Sequence, residues 1–375
     1  MRLVCVQENL KHGLDIVGRA VATRTTLPIT QSVLLTAEDN RVKLSATNLE
    51  IAISCWVPGQ VDEPGALAIP ARLLSEFVGS LSSGNVELTT QGKGNQLQIK
   101  AARSEARVSG QSAEDFPPIP QVGDGTAIQV DPELLKKAIG LVVFAAATDE
   151  SRPVLTGVHA EFDGSELTLA AADGFRLAVH KLPLVTAVAQ KTSVVVPSKA
   201  FSELYRLIGD QKEPVEITIS AAGTQLLFHT ESADMVSQII QGTFPNYQQL
   251  IPKASTSHAT MDVAEFLRAV RTASVFARDG SGIVRLQIGN GDASGKLVIS
   301  AKAEEVGDNT SELDATIEGE PGKIAFNSRY LTDVLSELGS GQVKLGTTSP
   351  SSPGVFEPVG SDDYTHVVMP MFVQW

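Results

Sequence analysis

Three segments of this 375-residue chain repeat one pattern of residue types, and this repetition limits the fold more than any other feature of the sequence. The segments begin at Pro70, Pro197 and Asn327, which lie 127 and 130 residues apart. Each has a base at its third position, an acid at its seventh and apolar residues at its fifth and eighth. A period of this length is too long for the unit of a solenoid, so the pattern predicts three tandem domains.

Landmarks that contain proline repeat at similar offsets. Pro28 and Pro153 lie 125 residues apart, and each precedes an apolar run. Residue pairs that end in proline close the copies at 116–117, 244–245 and 369–370. Stretches rich in proline and glycine are typical of boundaries between folded segments. The predicted domains are residues 1–122, 126–251 and 255–375.

Each copy shows the same order of elements: a short strand, an amphipathic helix, hairpins, a second helix and further strands. The first helix of the second copy is expected to begin at Pro132, behind the capping residue Asp131. We expect hairpin turns at Asp39-Asn40 and at Asp173-Gly174. Because strands are many and helices few, the predicted fold class is α+β, with three similar tandem domains of antiparallel sheets and paired helices.

The apolar segments and the cysteine content of the chain indicate the cellular compartment in which we expect it. The chain has no run of about 18 apolar residues, so a membrane-spanning helix is not expected. Its first residues lack the apolar stretch of a signal peptide. Two cysteines, Cys5 and Cys55, cannot build a disulfide framework. We therefore expect a cytoplasmic protein that makes no contact with a membrane.

The net charge of −13 argues against a nucleic-acid-binding protein when it is taken over the whole chain. The distribution of charge is uneven, however. Twelve bases and ten acids lie in the predicted helices, which leaves −15 on the rest of the chain; these helices are 8–24, 71–82, 131–147, 198–209, 262–278 and 328–338. One interpretation is that these are ordinary solvated helix faces. The other is a single, mildly basic helical surface that follows phosphates without reading bases.

No constellation of residues indicates catalysis. The six histidines are scattered, with no pair at helical spacing and no Cys-x-x-Cys, so a metal site is not expected. There is no Gly-x-Ser-x-Gly elbow. Asp173 and Arg176 could form a catalytic pair, but a hairpin turn is the favoured interpretation of this segment. We therefore expect neither an enzyme nor a cofactor.

The segment from Tyr364 to Trp375 is strongly apolar, whereas a chain end is normally polar. A final core strand explains Val367 and Val368. It does not explain the apolar residues that follow Pro370. Because methionine-rich apolar surfaces suit pockets that accept several related peptides, this segment points to a peptide-binding site.

Six segments resemble one known family, the bacterial DNA polymerase III beta subunits, or sliding clamps. The resemblance covers the whole chain. Its most specific segments are 24–29, 151–157, 172–178, 244–247, 326–330 and 367–371. It implies the DNA clamp fold and a head-to-tail homodimer that forms a closed ring of six domains. Such a ring encircles double-stranded DNA independently of sequence and tethers the replicative polymerase, without catalysis or a cofactor.

The resemblance also implies which residues join the two chains. One edge of the chain uses Ala106 and Val108, and the other uses Val275 and Phe276. Family members often have an aromatic residue where Ala106 stands, so we expect a smaller contact here.

A cleft that receives short linear motifs from polymerase, clamp loader and repair proteins is a further implication of the resemblance. Its residues are Leu155, Ala172, Gly174, Phe175, Arg176, Leu177, Pro245, Leu250, Asn327, Tyr330, Val368, Met369, Pro370, Met371 and Phe372. Gln249 stands where family members often have an arginine, and Ser281 where they often have a bulky residue. The chain also continues through Val373 to Trp375, beyond the usual family ending. We therefore expect a different partner preference.

For DNA, the candidates are Arg24, Arg72, Arg152 and Lys199, each as a contact to the sugar–phosphate backbone only. Two alternatives stay open at this point. The chain could be a triplicated scaffold that never encircles DNA, or an enzyme whose site the sequence does not reveal.

Overall fold

The structure is a computed structural model that describes residues 1–90, 95–121, 123, 125, 127–277, 282–289, 295–303 and 307–375. Ser281 and Arg278 lie outside the described residues. In the first copy the elements are β1 (Arg2–Val6), α1 (Gln7–Val17), β2 (Ser32–Glu38), β3 (Arg41–Thr47), β4 (Ile51–Glu63), β5 (Gly65–Pro70), α2 (Ala71–Ser80), β6 (Asn85–Thr90), β7 (Gln96–Ala101) and β8 (Ser104–Ser109).

The second and third copies follow the same order. The second contains β9 (Ala127–Val130), α3 (Pro132–Val143), β10 (Gly157–Asp163), β11 (Glu166–Ala172), β12 (Arg176–Pro183), β13 (Thr192–Pro197), α4 (Ser198–Ile208), β14 (Val215–Ile219), β15 (Gln225–His229) and β16 (Asp234–Gln238). The third contains β17 (Ser257–Asp262), α5 (Val263–Ala277), β18 (Ile283–Ile288), β19 (Lys296–Ala303), β20 (Gly307–Asp314), β21 (Thr316–Gly319), β22 (Gly322–Asn327), α6 (Ser328–Leu338), β23 (Gln342–Thr347), β24 (Gly354–Pro358) and β25 (Tyr364–Val368). The predicted α+β class is confirmed.

Local sequence explains where the elements begin and turn. The predicted hairpin turn at Asp39-Asn40 is confirmed, because both residues have positive φ, 47° and 58°, and join β2 to β3. Helix α3 begins at Pro132, as predicted. At α5 the carboxylate of Asp262 accepts a hydrogen bond of 2.9 Å from the backbone N–H of Glu265, which satisfies a free donor of the first turn.

The predicted helix over 8–24 was wrong at its C-terminal end. Helix α1 ends at Val17, one 3-10 turn follows over Gly18–Ala20, and Val21 is already extended. Glycine and the threonines beyond it are weak helix formers, so the helix does not continue. Arg24 consequently lies in an exposed loop and not on a helix.

The chain forms two compact units, and strand pairing explains why their limits differ from those of the copies. The first unit comprises residues 1–132 and 199–239. Its sheet runs β8-β7-β6-β1-β4-β16-β15-β14-β9. Strand β3 also pairs with β4, β2 pairs with β3, and β5 pairs with β2. Within it, β4 of the first copy pairs antiparallel with β16 of the second, so the hydrogen-bonded ladder passes from one copy to the next.

The second unit comprises residues 133–198 and 240–375. Its larger sheet runs β13-β10-β11-β12-β25-β24-β23-β17-β21, and a smaller sheet runs β20-β19-β18-β22. Strand β12 of the second copy pairs antiparallel with β25 of the third, in the same manner as β4 with β16. None of the helices in the described part of the chain is both long and apolar enough to span a bilayer.

Aromatic pairs occupy the cores of both units. In the first, the rings of Phe201 and Phe228 have centroids 5.8 Å apart. In the second, Phe326 and Phe356 have the same separation. The side chain of His366 on β25 is fully buried against Phe144 and Phe356, with ring centroids 5.4 and 6.3 Å away. Neither of its ring nitrogens has a hydrogen-bond partner among the described residues.

Stability should fall as the pH drops below 6.5. Burial, and next the positive charge of Arg176, lower the pKa of His366 to about 3, and burial lowers the pKa of His180 to about 4. Because the unfolded chain binds these protons near pH 6.5 and the folded chain does not, each histidine should remove about 2 kcal/mol between pH 7 and pH 5. Denaturant unfolding followed by circular dichroism measures this loss.

The His366→Phe variant should lose less stability than the unaltered protein over this pH range, since His366 no longer contributes while His180 still does. The exposed His12→Phe variant on α1 serves as its control and should lose as much as the unaltered protein. Equal pH dependence in His366→Phe and the unaltered protein would contradict a buried neutral imidazole.

Candidate functional site

Two aromatic side chains of the predicted cleft face each other in the second unit. Phe175 lies in the turn between β11 and β12, and Tyr330 lies in the first turn of α6. Their ring centroids are 6.5 Å apart, with an angle of 23° between the ring planes. Phe175 is 56% exposed, so the face of its ring is available for contact.

An apolar cluster adjoins these rings. Ala172 and Leu177 are buried in it together with Phe244 and Tyr247, and Leu155 packs against it from a half-buried position. Leu155 lies in a 3-10 turn over Pro153–Thr156. Ala172, Leu177 and Leu155 of the predicted cleft therefore belong to one apolar cluster, in which Leu155 remains partly exposed.

A second 3-10 turn, over Tyr247–Leu250, carries further predicted residues. Pro245 precedes it and is exposed, as is Gln249 within it. Leu250 is 55% exposed and is followed by Ile251, which packs against the apolar cluster. Leu250 is thus a large, exposed apolar side chain next to Ile251, which is partly buried and anchors the turn to the cluster.

The C-terminal segment is attached to both sides of this region by backbone hydrogen bonds. Val368 is buried and pairs with Arg176 across the β12–β25 ladder. The N–H of Met369 donates to the carbonyl of Phe175 at 2.8 Å, and the N–H of Met371 donates to the carbonyl of Ala325 at 2.7 Å. Pro370, which has no N–H, stands between the two attachments.

The side chains after this attachment are largely exposed. Met369 is 44% exposed and Phe372 is 93% exposed. The indole of Trp375 has the ammonium group of Lys323 over it, 5.7 Å from the ring centroid. Exposed apolar side chains on an anchored backbone form a ready contact surface.

Arg176 is a buried positioning residue and not a surface contact. Its side chain is 8% exposed. Its guanidinium group donates to Asp173 at 3.1 Å, to Asp333 at 2.6 Å and to the carbonyl of Phe144 at 2.7 Å. It also lies over the ring of Tyr330, 4.7 Å from the centroid. One charged group therefore holds the β11–β12 turn, helix α6 and the segment after α3 together.

The turn that carries Phe175 is built by Asp173 and Gly174. The predicted two-residue turn at Asp173-Gly174 was wrong by one residue: its central residues are Gly174 and Phe175, because Asp173 N–H donates to the carbonyl of Arg176. Gly174 has φ +94°, which glycine adopts without strain. The Asp173 carboxylate accepts from the N–H groups of Phe175 and Arg176 at 2.8 and 2.9 Å, so the structural interpretation of this pair is confirmed.

Asp333 and Phe144 belong to this site, although the sequence reasoning did not assign them to it. Asp333 occupies the acidic seventh position of the repeated segment. At that position Glu76 pairs with Arg72, Glu203 pairs with Arg206, and Asp333 pairs with Arg176. The repeated acid was a visible signal, but its arginine partner differs in each copy. Burial, and next the charge of Asp173, raise the pKa of the Tyr330 hydroxyl.

Asn327 has a structural role at the start of α6. Its side-chain oxygen accepts a hydrogen bond of 2.9 Å from the N–H of Arg329 and so caps the helix. This contact fixes the first turn, from which Tyr330 projects.

The candidate DNA contacts differ in their surroundings. Arg24 and Lys199 are exposed. Arg72 is also exposed and pairs with Glu76 at 2.8 Å on its own helix. The guanidinium group of Arg152 donates to the carbonyl of Asp173 at 3.1 Å, so it lies against the turn that carries Phe175.

The candidate interface residues lie at two sheet edges. Ala106 on β8 is half-buried, whereas Val108 is 5% exposed and lies in the core of its own unit. At the end of α5, Val275 is 52% exposed, and the Phe276 ring lies against the start of β20, where a Cβ on Gly307 would be 3.8 Å from it.

Comparison with known proteins covers the same three copies. The family model described as the N-terminal domain of the DNA polymerase III beta subunit matches residues 1–120. The models of its central and C-terminal domains match residues 129–246 and 248–372. The chain therefore consists of three tandem domains of the clamp fold.

Individual relatives and solved structures agree with these models. The chain is 30% identical over 381 residues to the beta sliding clamp of Bacillus subtilis, with 99% of both chains covered. It is 32% identical over 362 residues to that of Staphylococcus aureus, with 94% of both covered. The crystal structure of the Bacillus subtilis DNA polymerase sliding clamp has a TM-score of 0.94 at 29% identity, with full coverage of both chains. The Pseudomonas aeruginosa sliding clamp has a TM-score of 0.91 at 28% identity, again with full coverage. On these matches, the chain belongs to the DNA polymerase III beta subunit family, the bacterial sliding clamps.

Proposed function

We propose that two copies of this chain join head to tail into a closed ring that encircles double-stranded DNA and tethers the replicative polymerase to it. The three domains of each chain have the limits 1–122, 126–251 and 255–375. The protein acts in the cytoplasm as a processivity factor, with no cofactor and no catalysed reaction.

The observation that carries the proposal is the way neighbouring copies join inside the chain. Copy one joins copy two through β4 and β16, and copy two joins copy three through β12 and β25. Strands β4, β12 and β20 are equivalent, because each is the third strand after the first helix of its copy. Strands β8, β16 and β25 are equivalent, because each is the last strand of its copy. Among the described residues, β8 pairs only with β7, and β20 only with β19. Each chain therefore offers one unused edge of each kind.

A second chain can supply the missing strand partner at each of these edges. A head-to-tail contact uses two different surfaces and produces a ring when its rotation closes. Ala106 lies on β8, and the Phe276 ring lies against the start of β20, so these two residues lie at the two edges. Val275 precedes Phe276 on α5. Val108 supports β8 from within the core.

Binding to DNA rests on topology, with charge in a supporting role. Arg24, Arg72 and Lys199 are exposed and suited to phosphate contacts, which carry no base information. Arg152 shares its guanidinium group with the turn at Asp173. Because a closed ring cannot leave DNA sideways, weak contacts suffice and permit sliding.

The apolar region around Phe175, Tyr330, Leu250 and Met369 is the partner-binding cleft. Polymerase, clamp-loader and repair proteins bring short linear motifs to it, one partner at a time. An apolar groove with a few polar anchors suits such motifs, and the exposed methionine gives it adaptability.

Retention on DNA should depend on whether the DNA has ends. After loading by a clamp loader onto a nicked circular plasmid, the protein should remain bound through gel filtration at high salt, because phosphate contacts weaken but the ring stays closed. One restriction cut in the same plasmid should release it. Equal retention before and after the cut would contradict topological tethering.

Phe175→Ala should weaken binding of a short fluorescein-labelled peptide rich in leucine and phenylalanine by at least about tenfold, since exposed aromatic residues dominate such contacts. Fluorescence anisotropy measures the dissociation constant. The control is Val185→Ala, because Val185 is 54% exposed in the same unit but lies outside the cleft.

Truncation after Val368 should abolish peptide binding and leave the dimer intact. Unchanged affinity in both the Phe175→Ala and the truncated protein would overturn the cleft assignment.

A further inference from the structure

We propose that Met369 is a reversible oxidation site, and that one oxygen atom added to its sulfur lowers the affinity of the cleft for partner peptides. This inference rests on the proposed peptide-binding function of the cleft and adds a form of regulation to it. It follows from the burial of the methionines and cysteines, from the anchored backbone at Met369 and from the chemistry of a thioether.

The five methionines of the chain differ in exposure, and the structure describes all of them. Met235 and Met261 are 0% and 1% exposed, so an oxidant in solution does not reach them while the chain is folded. Met1 and Met371 are half-buried. Met369 is 44% exposed and is therefore the most accessible methionine of the chain.

The two cysteines do not compete with it for an oxidant. Cys5 and Cys55 are both buried, and burial raises the pKa of each thiol to about 12. Because the thiolate is the form that peroxides oxidise, both thiols are unreactive in the folded chain. A mild oxidant should therefore modify Met369 first.

The backbone holds Met369 at the surface that a peptide would contact. Its N–H donates to the carbonyl of Phe175 at 2.8 Å, and Val368 before it is buried in the β12–β25 ladder. Because Pro370 follows it, the backbone of Met369 is restricted to extended conformations. The Met369 side chain thus begins beside the turn that carries the exposed ring of Phe175, and the anchored backbone keeps it there.

The oxidant is a hydroperoxide, for which hydrogen peroxide is the probe. A lone pair of the Met369 sulfur attacks one peroxide oxygen, the O–O bond breaks, and the other oxygen leaves as water. The sulfur loses two electrons and becomes a sulfoxide, while the peroxide is reduced. A methionine sulfoxide reductase reverses the step, since the oxygen leaves as water and two thiols of the reductant become a disulfide.

The sulfoxide differs from the thioether in the property that suits the cleft to apolar motifs. A thioether is flexible and apolar and adapts to several partner side chains. A sulfoxide carries a hydrogen-bond acceptor, and covering that acceptor with an apolar side chain that offers no donor is unfavourable. Oxidation of Met369 should therefore raise the dissociation constant of a bound peptide at least about tenfold.

Mild oxidation of the full-length protein with hydrogen peroxide tests this inference. Peptide mass spectrometry should locate the added oxygen at Met369 before Met235 and Met261 are modified. Fluorescence anisotropy with the labelled peptide rich in leucine and phenylalanine, which contains no methionine, should show the increase in the dissociation constant. Treatment with a methionine sulfoxide reductase and dithiothreitol should reverse it.

Substitutions assign the effect to one sulfur atom. Each variant is compared with its own unoxidised sample, so a change in affinity caused by the substitution does not enter the ratio. Met369→Leu removes the thioether and keeps an apolar side chain, so peroxide should no longer change its dissociation constant. Met371→Leu is the matched control and should respond to peroxide as the unaltered protein does. Met369→Gln, which imitates the polar sulfoxide, should bind the peptide at least about tenfold more weakly than Met369→Leu.

The outcomes separate this inference from the cleft itself. If the unoxidised protein binds the peptide but oxidation of Met369 leaves the dissociation constant unchanged, the inference is overturned and the cleft stands. The same follows if Met235 and Met261 are oxidised first, or if peroxide still affects Met369→Leu. If the unoxidised protein does not bind the peptide, both are overturned. A reversible loss of affinity in the unaltered protein and in Met371→Leu, but not in Met369→Leu, supports Met369 as the oxidation site.

Discussion

Antiparallel pairing between strands of neighbouring copies is the interaction on which this molecule depends. The backbone N–H and C=O groups of an edge strand need partners, and an unused edge is a template for another strand. Inside the chain, β16 and β25 supply those partners to β4 and β12. Among the described residues, β8 of the first copy and β20 of the last are the strands at equivalent positions that lack such a partner, and a second chain can use both at once. Closure of a ring satisfies the same requirement that joins the copies.

The proposed partner-binding cleft depends on one of these junctions. Arg176 is the first residue of β12 and pairs with Val368 of β25 across the junction. Its buried guanidinium group binds Asp173 in the second copy and Asp333 in the third. A buried charge needs good partners on all sides, and removing one would leave an uncompensated charge. The exposed ring of Phe175 and the half-buried ring of Tyr330 are therefore held by groups that lie beneath the proposed peptide-binding surface.

The repeated pattern in the sequence predicts much of this fold. It does not predict which side chains contact each other across long distances in the sequence. The helix starts at Pro132 and Ser328 and the turn at Asp39-Asn40 follow from local residue chemistry. Helix α1 ended early because threonine and glycine propensities outweighed an apolar period that continued beyond Val17. Asp333 could not be matched with Arg176, since the two are 157 residues apart and only the folded chain brings them together. The burial of Val108 likewise depends on packing within its own unit.

The mass of the assembly in solution tests the central claim most directly. Sedimentation equilibrium at micromolar concentration and moderate salt should give twice the 39.7 kDa mass of one chain, with a single species across the concentrations used. Two chains use both kinds of free edge, so no larger species should accumulate. A mass of one chain at these concentrations, or a ladder of masses that grows with concentration, would contradict a closed ring of two subunits.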